Sequence, residues 1–454
     1  MADATTRAIV AARLVAIAAA AAIVSVVAVV AFRDDGTSTA TGVGTILAAT
    51  SLPSTVTSTL SPTTAPSASA PSTAPVATVP PSPGGDFVAV TPLRLVDTRS
   101  GAGTSGGSAG KVPLVTASIV GRTGASGVAA VKAVALNVTV AEPSQAGFLT
   151  VAAAGSHPSD VSQIAFVVST TASSLIVTRA SAEGLVDLRL SEGASSHIIV
   201  DLLGYFVPER SPDHLSILPD PLPIALVDSR AGVPVDPGQN VDVTLPAAQA
   251  GAILGVTATG ARAAGYLTVY GGATRPDTST VNFGTGHDAT ALSIVATGAD
   301  RTVHIYNGSS ASVHIVVFQI ARLVGGAPSA GLALNIEGTV AQDGRSAPFP
   351  FRTVDTRGNA TCPTTLGGGV ASVSTIFPNA KALLVSVTVV NASIASYLIA
   401  YAGSVQPPGV ATLNYDAGEV RSNLALVPVS GDRLNIVCGG GNPEYILDVL
   451  ATLE

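Results

Sequence analysis

One short phrase occurs three times in this chain at almost constant spacing. It reads Leu95-Val96-Asp97-Thr98-Arg99, then Leu226-Val227-Asp228-Ser229-Arg230, then Thr353-Val354-Asp355-Thr356-Arg357. Its aspartates stand 131 residues apart (97 to 228) and then 127 apart (228 to 355). A repeat of that length is a whole domain, not the short unit of a solenoid. The chain must therefore fold three times to one plan. An array of like domains points to a protein that spans distance or presents surface.

The match extends well beyond each phrase. Copy one continues with Ala133-Val134-Ala135-Leu136-Asn137-Val138-Thr139-Val140 and Gly147-Phe148-Leu149-Thr150-Val151. Copy two has Ala252-Ile253-Leu254-Gly255-Val256-Thr257-Ala258-Thr259 and Gly265-Tyr266-Leu267-Thr268-Val269. Copy three has Ala382-Leu383-Leu384-Val385-Ser386-Val387-Thr388-Val389 and Ser396-Tyr397-Leu398-Ile399-Ala400. The last strands align as His197–Asp201, His314–Phe318 and Tyr445–Val449, the third more loosely.

Two segments precede the copies. Residues 14–32 are apolar apart from Ser25. As a helix they would span about 28 Å at roughly 1.5 Å per residue, close to a bilayer core of about 30 Å. Arg7 and Arg13 lie before the run, which places the N-terminus in the cytoplasm and the copies outside. The run is longer than a signal-peptide core, and Val29-Val30-Ala31-Phe32 is a poor cleavage site, so an uncleaved anchor is favoured over secretion after cleavage. From residue 33 to about 85 the chain is Ser, Thr, Pro and Ala with almost no charge or aromatics. Such a composition buries too little apolar area to offset ordering entropy. It reads as an extended stalk, either O-glycosylated or a plain spacer.

The remainder is punctuated by many of the chain's 46 glycines and 30 prolines, and short β-branched runs such as Ser174–Val177, Val303–Tyr306 and Val313–Phe318 lie between turn residues. No long helical period survives outside the anchor. The expected fold is all-β: three tandem antiparallel β-sandwich or jelly-roll-like domains at residues 86–208, 215–324 and 330–454, after a tail (1–13), the anchor (14–32) and the stalk (33–85). Net charge is −7 with no basic cluster, which argues against nucleic-acid binding. Both cysteines, Cys362 and Cys438, fall in copy three, and an even count in an exported domain favours a disulfide over two free thiols.

The repeated Asp and Arg are two residues apart. On a strand they would share a face, so Asp97 with Arg99, Asp228 with Arg230, and Asp355 with Arg357 are expected to pair as structural clamps. A sugar-binding carboxylate is the rival. A Ca²⁺ site needs six to eight oxygens, no D-x-D-x-D run is present, and the arginine opposes a cation. The six histidines are scattered. His304 and His314 would face each other if Asn307-Gly308 made a hairpin turn, but a third metal ligand is missing. No H-E-x-x-H or P-loop occurs, and the acids Glu183 and Asp187 become Asp300 and His304 in copy two. The reading is a non-enzyme with no catalytic residue, metal or cofactor.

The copies resemble a domain of exported proteins from high-GC Gram-positive bacteria, with the pattern P-x-R-[LV]-x-D-T-R, L-N-V-T-V, G-[FY]-L-T-V and D-x-x-G-Y-F. Copy one supplies Pro92-Leu93-Arg94-Leu95-Val96-Asp97-Thr98-Arg99 and Asp201-Leu202-Leu203-Gly204-Tyr205-Phe206. Copy two departs most, with Ala225 for Arg94 and Phe318 for Asp201. The resemblance implies location and fold more than activity. The expectation is a membrane-anchored surface protein that binds an envelope glycan or a surface protein, or builds a surface layer. A glycan-active enzyme and a self-associating filament subunit are the alternatives.

Overall fold

The computed structural model describes residues 86–122, 131–156, 161–208, 211, 213–325, 331–340, 346–364, 370–375, 377, 379–403, 406–430 and 432–454. The expected anchor and stalk lie outside the described residues. No helix among the described residues is long and apolar enough to cross a membrane. Apart from short 3₁₀ turns, the regular structure among the described residues is antiparallel strand.

Copy one contains β1 (Asp86–Asp97), β2 (Leu114–Ser118), β3 (Ala133–Ala141), β4 (Gly147–Ala153), β5 (Ile164–Phe166), β6 (Thr171–Thr178), β7 (Leu185–Leu190) and β8 (His197–Val207). Copy two contains β9 (Leu215–Asp228), β10 (Asn240–Thr244), β11 (Gly251–Thr259), β12 (Gly265–Tyr270), β13 (Val281–Phe283), β14 (Ala289–Ala296), β15 (Thr302–Asn307) and β16 (His314–Gly325). Copy three contains β17 (Leu334–Asn335), β18 (Gly338–Val340), β19 (Ser346–Pro348), β20 (Phe351–Asp355), β21 (Ala371–Ser374), β22 (Ala382–Val390), β23 (Ser396–Ala402), β24 (Leu413–Tyr415), β25 (Arg421–Pro428), β26 (Arg433–Cys438) and β27 (Glu444–Leu453).

Each copy builds two facing sheets. In copy one the inner sheet runs β1-β8-β3-β6 and the outer sheet β2-β7-β4-β5. Copy two repeats this as β9-β16-β11-β14 and β10-β15-β12-β13. Phe87 pairs with Leu215, so the inner sheets of copies one and two join edge to edge. Copy three has β27-β22-β25 inside and β21-β26-β23-β24 outside. Its first strand is split: β17 and β20 both pair with β27, and the β18–β19 hairpin lies between them in the chain.

The register also corrects one alignment. Arg94 stands opposite Asp201 and Arg352 opposite Asp448. Asp448, not Val449, is therefore the counterpart of Asp201, and the last strand of copy three is shifted by one residue from the sequence match.

Inner and outer strands differ as their sequences require. The outer strand β2 alternates exposed and buried residues, as a sheet with one wet face must. The inner strand β3 is buried at every position. Its Val134, Leu136, Val138 and Val140 pack into the copy's own core. Ala133 and Ala135, on the opposite face, join a central cluster drawn from all three copies, which includes Leu175, Ile253, Leu292, Leu384 and Leu426.

Polar contacts close this arrangement into a ring. Asn137 Nδ2 donates to the Ser279 carbonyl at 2.5 Å, and Ser173 donates to that of Thr280 at 3.0 Å, so a loop of copy two sits on the inner sheet of copy one. Ser386 donates to the Ser162 carbonyl at 2.9 Å, which puts a loop of copy one on copy three. Asn414 Nδ2 donates to Thr290 Oγ1 at 2.9 Å, which puts copy three on copy two. Head-to-tail contacts that return to their start give a closed cycle. The copies are thus not strung out as an array, because inner sheets apolar on both faces cannot be left facing water.

Candidate functional site

The repeated phrase forms one local structure three times. Asp97 is the last residue of β1, and Thr98 to Ser100 turn away from the sheet. The Asp97 Oδ1 accepts the Arg99 backbone N–H at 3.0 Å and its Nε at 3.0 Å, while Oδ2 accepts Nη2 at 2.7 Å. Asp228 holds Arg230 at 3.1, 2.9 and 2.6 Å through the same atoms. Asp355 holds Arg357 at 3.2, 2.9 and 2.6 Å. The two residues do not share a strand face as the spacing suggested. The aspartate caps a turn through the N–H two residues on, a conformation its short side chain favours, and the guanidinium folds back onto the same carboxylate.

The residue between them has its own task. Thr98 Oγ1 accepts the Ile198 N–H at 2.9 Å, Ser229 Oγ that of Ile315 at 2.8 Å, and Thr356 Oγ1 that of Tyr445 at 2.8 Å. Each hydroxyl satisfies an N–H near the start of its copy's last strand. A buried N–H needs such a partner. The restriction of this position to Ser or Thr in all three copies is the sequence signal for that role, and pairing Asp with Arg alone misses it.

Copies one and three extend the pair into a chain of four charges. Arg94 Nε donates to Asp201 at 2.6 Å and its Nη1 to Asp97 at 3.0 Å. Arg352 Nε donates to Asp448 at 2.8 Å, and its Nη1 lies 3.6 Å from Asp355. Asp201 and Asp448 are almost fully buried. Burial pushes both carboxyls above their ordinary range, against the opposing pull of the arginines. The outer aspartates move the other way. Hydrogen bonds from Arg99 and Arg230 lower Asp97 and Asp228, and those from Arg357 bring Asp355 down to about 2.

Arg94 also crosses to copy two, where it donates to the Asp277 carbonyl. At the matching junction of copies two and three, Ala225 and Phe318 stand where copy one has Arg94 and Asp201, and Gly255 stands for Asn137. A cavity of about 390 Å³ opens there, lined by Arg230, Phe318, Tyr397, Pro408 and Asn414 among others.

Other sequence candidates are dispersed. His304 and His314 do not face each other, because β15 and β16 belong to different sheets and Asn307-Gly308 connects them. His304 Nδ1 meets Asp242 at 2.7 Å, and His314 Nδ1 meets the Ser229 carbonyl at 2.9 Å. His287 of copy two meets Asp416 of copy three at 2.5 Å, in a mouth of about 720 Å³ where all three copies contribute residues. Not among those candidates, Gly103-Thr104-Ser105-Gly106-Gly107 nonetheless has nucleophile-elbow spacing. It forms only an exposed three-residue 3₁₀ turn, without the strand-to-helix bend that aims such a serine. No group of three metal-ligating side chains occurs among the described residues. Cys362 and Cys438 form the expected disulfide, with Cα atoms 5.9 Å apart.

Comparison with known proteins gives no match, either to a protein-family model or to a curated protein.

Proposed function

We propose that this chain is a non-catalytic, membrane-anchored surface protein whose three copies form a binding head held outside the cell on the stalk. The observation that carries the reading is how the repeated carboxylates are used. Asp97, Asp228 and Asp355 each spend both oxygens on their own arginine. A glycan-cleaving enzyme needs two carboxyl groups free to act on opposite sides of a bond. Here Asp97 and Asp201 are bridged by Arg94. A motif that persists even in copy two, where Arg94 and Asp201 have no counterpart, is a fold-holding device rather than a reacting one.

Strand orders of 1-8-3-6 facing 2-7-4-5 support reading each copy as a jelly roll. The partner is an envelope glycan or a surface protein, and nucleic acid is not expected. Self-association through sheet edges is the competing role.

Protease added to intact cells tests the topology. The expected result is loss of the copies, with a short membrane-bound fragment retained. Retention of the released head on purified cell envelopes tests the binding role. A head that washes off every envelope fraction, or that hydrolyses envelope glycan, refutes it.

A further inference from the structure

The junction of copies two and three lacks the side chains that fill the other two junctions. Between copies one and two, Arg94 Nε donates to Asp201 and Nη1 to Asp97, while Nη2 reaches the Asp277 carbonyl of the next copy. Asn137 adds its bond to the Ser279 carbonyl. Between copies three and one, Arg352 is held by Asp448, and Ser386 donates to the Ser162 carbonyl. Copy two has Ala225, Phe318 and Gly255 at these positions, and none carries a polar side chain. The receiving loop of copy three is still in place. Val281 and Leu413 are equivalent, since they pair with Leu267 and Leu398. Counting back four residues from each gives Asp277 and Gly409. Gly409 thus holds the position whose carbonyl Arg94 uses at the first junction, and it lines the open cavity.

That cavity, of about 390 Å³, has the chemistry of a missing guanidinium. Phe318 and Tyr397 line it, and guanidinium planes stack on aromatic faces. Of the described lining residues, Arg230 and Asp288 are charged. Arg230 is already held by Asp228 through two nitrogens. Asp288 accepts the Gly260 N–H at 3.3 Å and forms no ion pair among the described residues. One arginine therefore stands against two aspartates, beside an aromatic wall. A surplus carboxylate alone would mark nothing. This one lies where the two sister junctions hold an arginine from their own copy.

We propose that the junction of copies two and three takes, from outside, the arginine side chain of a partner protein. Its guanidinium would lie between Phe318 and Asp288 with a donor toward Gly409, and its methylenes would run along Pro408 and Val410. A planar fork of donors can stack on a ring and bond a carboxylate at once. A lysine ammonium is a compact point charge and serves the site less well. The inference rests on the binding-head reading, and it takes the protein partner over the glycan because what the cavity lacks is a cation.

The test titrates the full chain in detergent, by calorimetry, with N-acetyl-arginine amide and with its neutral isostere N-acetyl-citrulline amide. Retention on purified envelopes is measured separately. The arginine compound is expected to bind about tenfold more tightly, the effect of one charge-assisted contact; this comparison needs no variant. Asp288→Asn keeps an oxygen for the Gly260 N–H and should weaken arginine binding about tenfold. Ala225→Arg returns a guanidinium from within the copy, and should abolish arginine binding and lower envelope retention. Melting temperatures no lower than the parent's establish that both variants fold. Equal binding of the two compounds, arginine binding that survives Ala225→Arg, or retention that Ala225→Arg leaves intact overturns the arginine site and leaves the binding head standing. A parent chain that binds neither compound while envelopes still retain it does the same. A parent chain that no envelope fraction retains sinks the head reading itself.

Discussion

Cutting copy one free, as residues 86–208, should destroy its independence. Its contribution to the shared centre is Phe87, Ala133, Ala135, Val161, Leu175, Val177 and Phe206. Five of these are large, and full burial of each contributes about 1.5–3 kcal/mol. If the other two copies supply about half of that cover, excision costs about 4–8 kcal/mol. An ordinary domain has only about 5–15 kcal/mol of net stability. Asn137 and Ser173 also lose their acceptors on copy two. Sedimentation velocity at micromolar concentration should find the excised copy associated, or expanded and without a cooperative melt. Association into threes would rebuild the cycle. A compact monomer that melts as sharply as the whole chain would refute the shared-core argument.

Three further outcomes are expected. Thr98→Val should destabilise the chain by about 1–3 kcal/mol, because it leaves the buried Ile198 N–H unpaired, whereas Thr98→Ser should be near neutral; chemical denaturation measures both. Asp355, lowered by Arg357 to about 2, contributes stability that is complete above its ordinary value of 3.8 and is lost as pH falls toward about 2; melting temperature should drop across that window, and less steeply in Asp355→Asn. Reducing Cys362–Cys438, which spans 76 residues, should cost about 4.5 kcal/mol on the chain-entropy view, and because Leu384 and Leu426 of copy three belong to the centre shared with copies one and two, the three copies should melt together at a lower temperature; calorimetry with and without reductant measures this, and a separate copy-three transition would count against the shared centre.

Local features were legible in the sequence. Short β-branched runs became strands, as with Ser174–Val177 inside β6, and the cysteine pair became a disulfide. Features set by packing between copies were less so. Nothing local distinguishes Ala133 and Ala135, which face the shared centre, from Val134 and Leu136, which face their own core. An uninterrupted apolar strand announces burial on both faces, but not what covers the second face. The His304–His314 expectation failed for a related reason: a turn dipeptide shows where the chain bends, not whether the next strand pairs or crosses to the opposite sheet.

The chain-encoded cycle has a consequence for how such a molecule changes. In a symmetric assembly of three identical subunits, every substitution arrives in triplicate, and a change harmful at one junction is harmful at all three. Here each junction is spelled separately. Ala225 and Phe318 stand at one junction while Arg94 with Asp201, and Arg352 with Asp448, stay at the others. Two copies carry the charged network, and the third is released to vary.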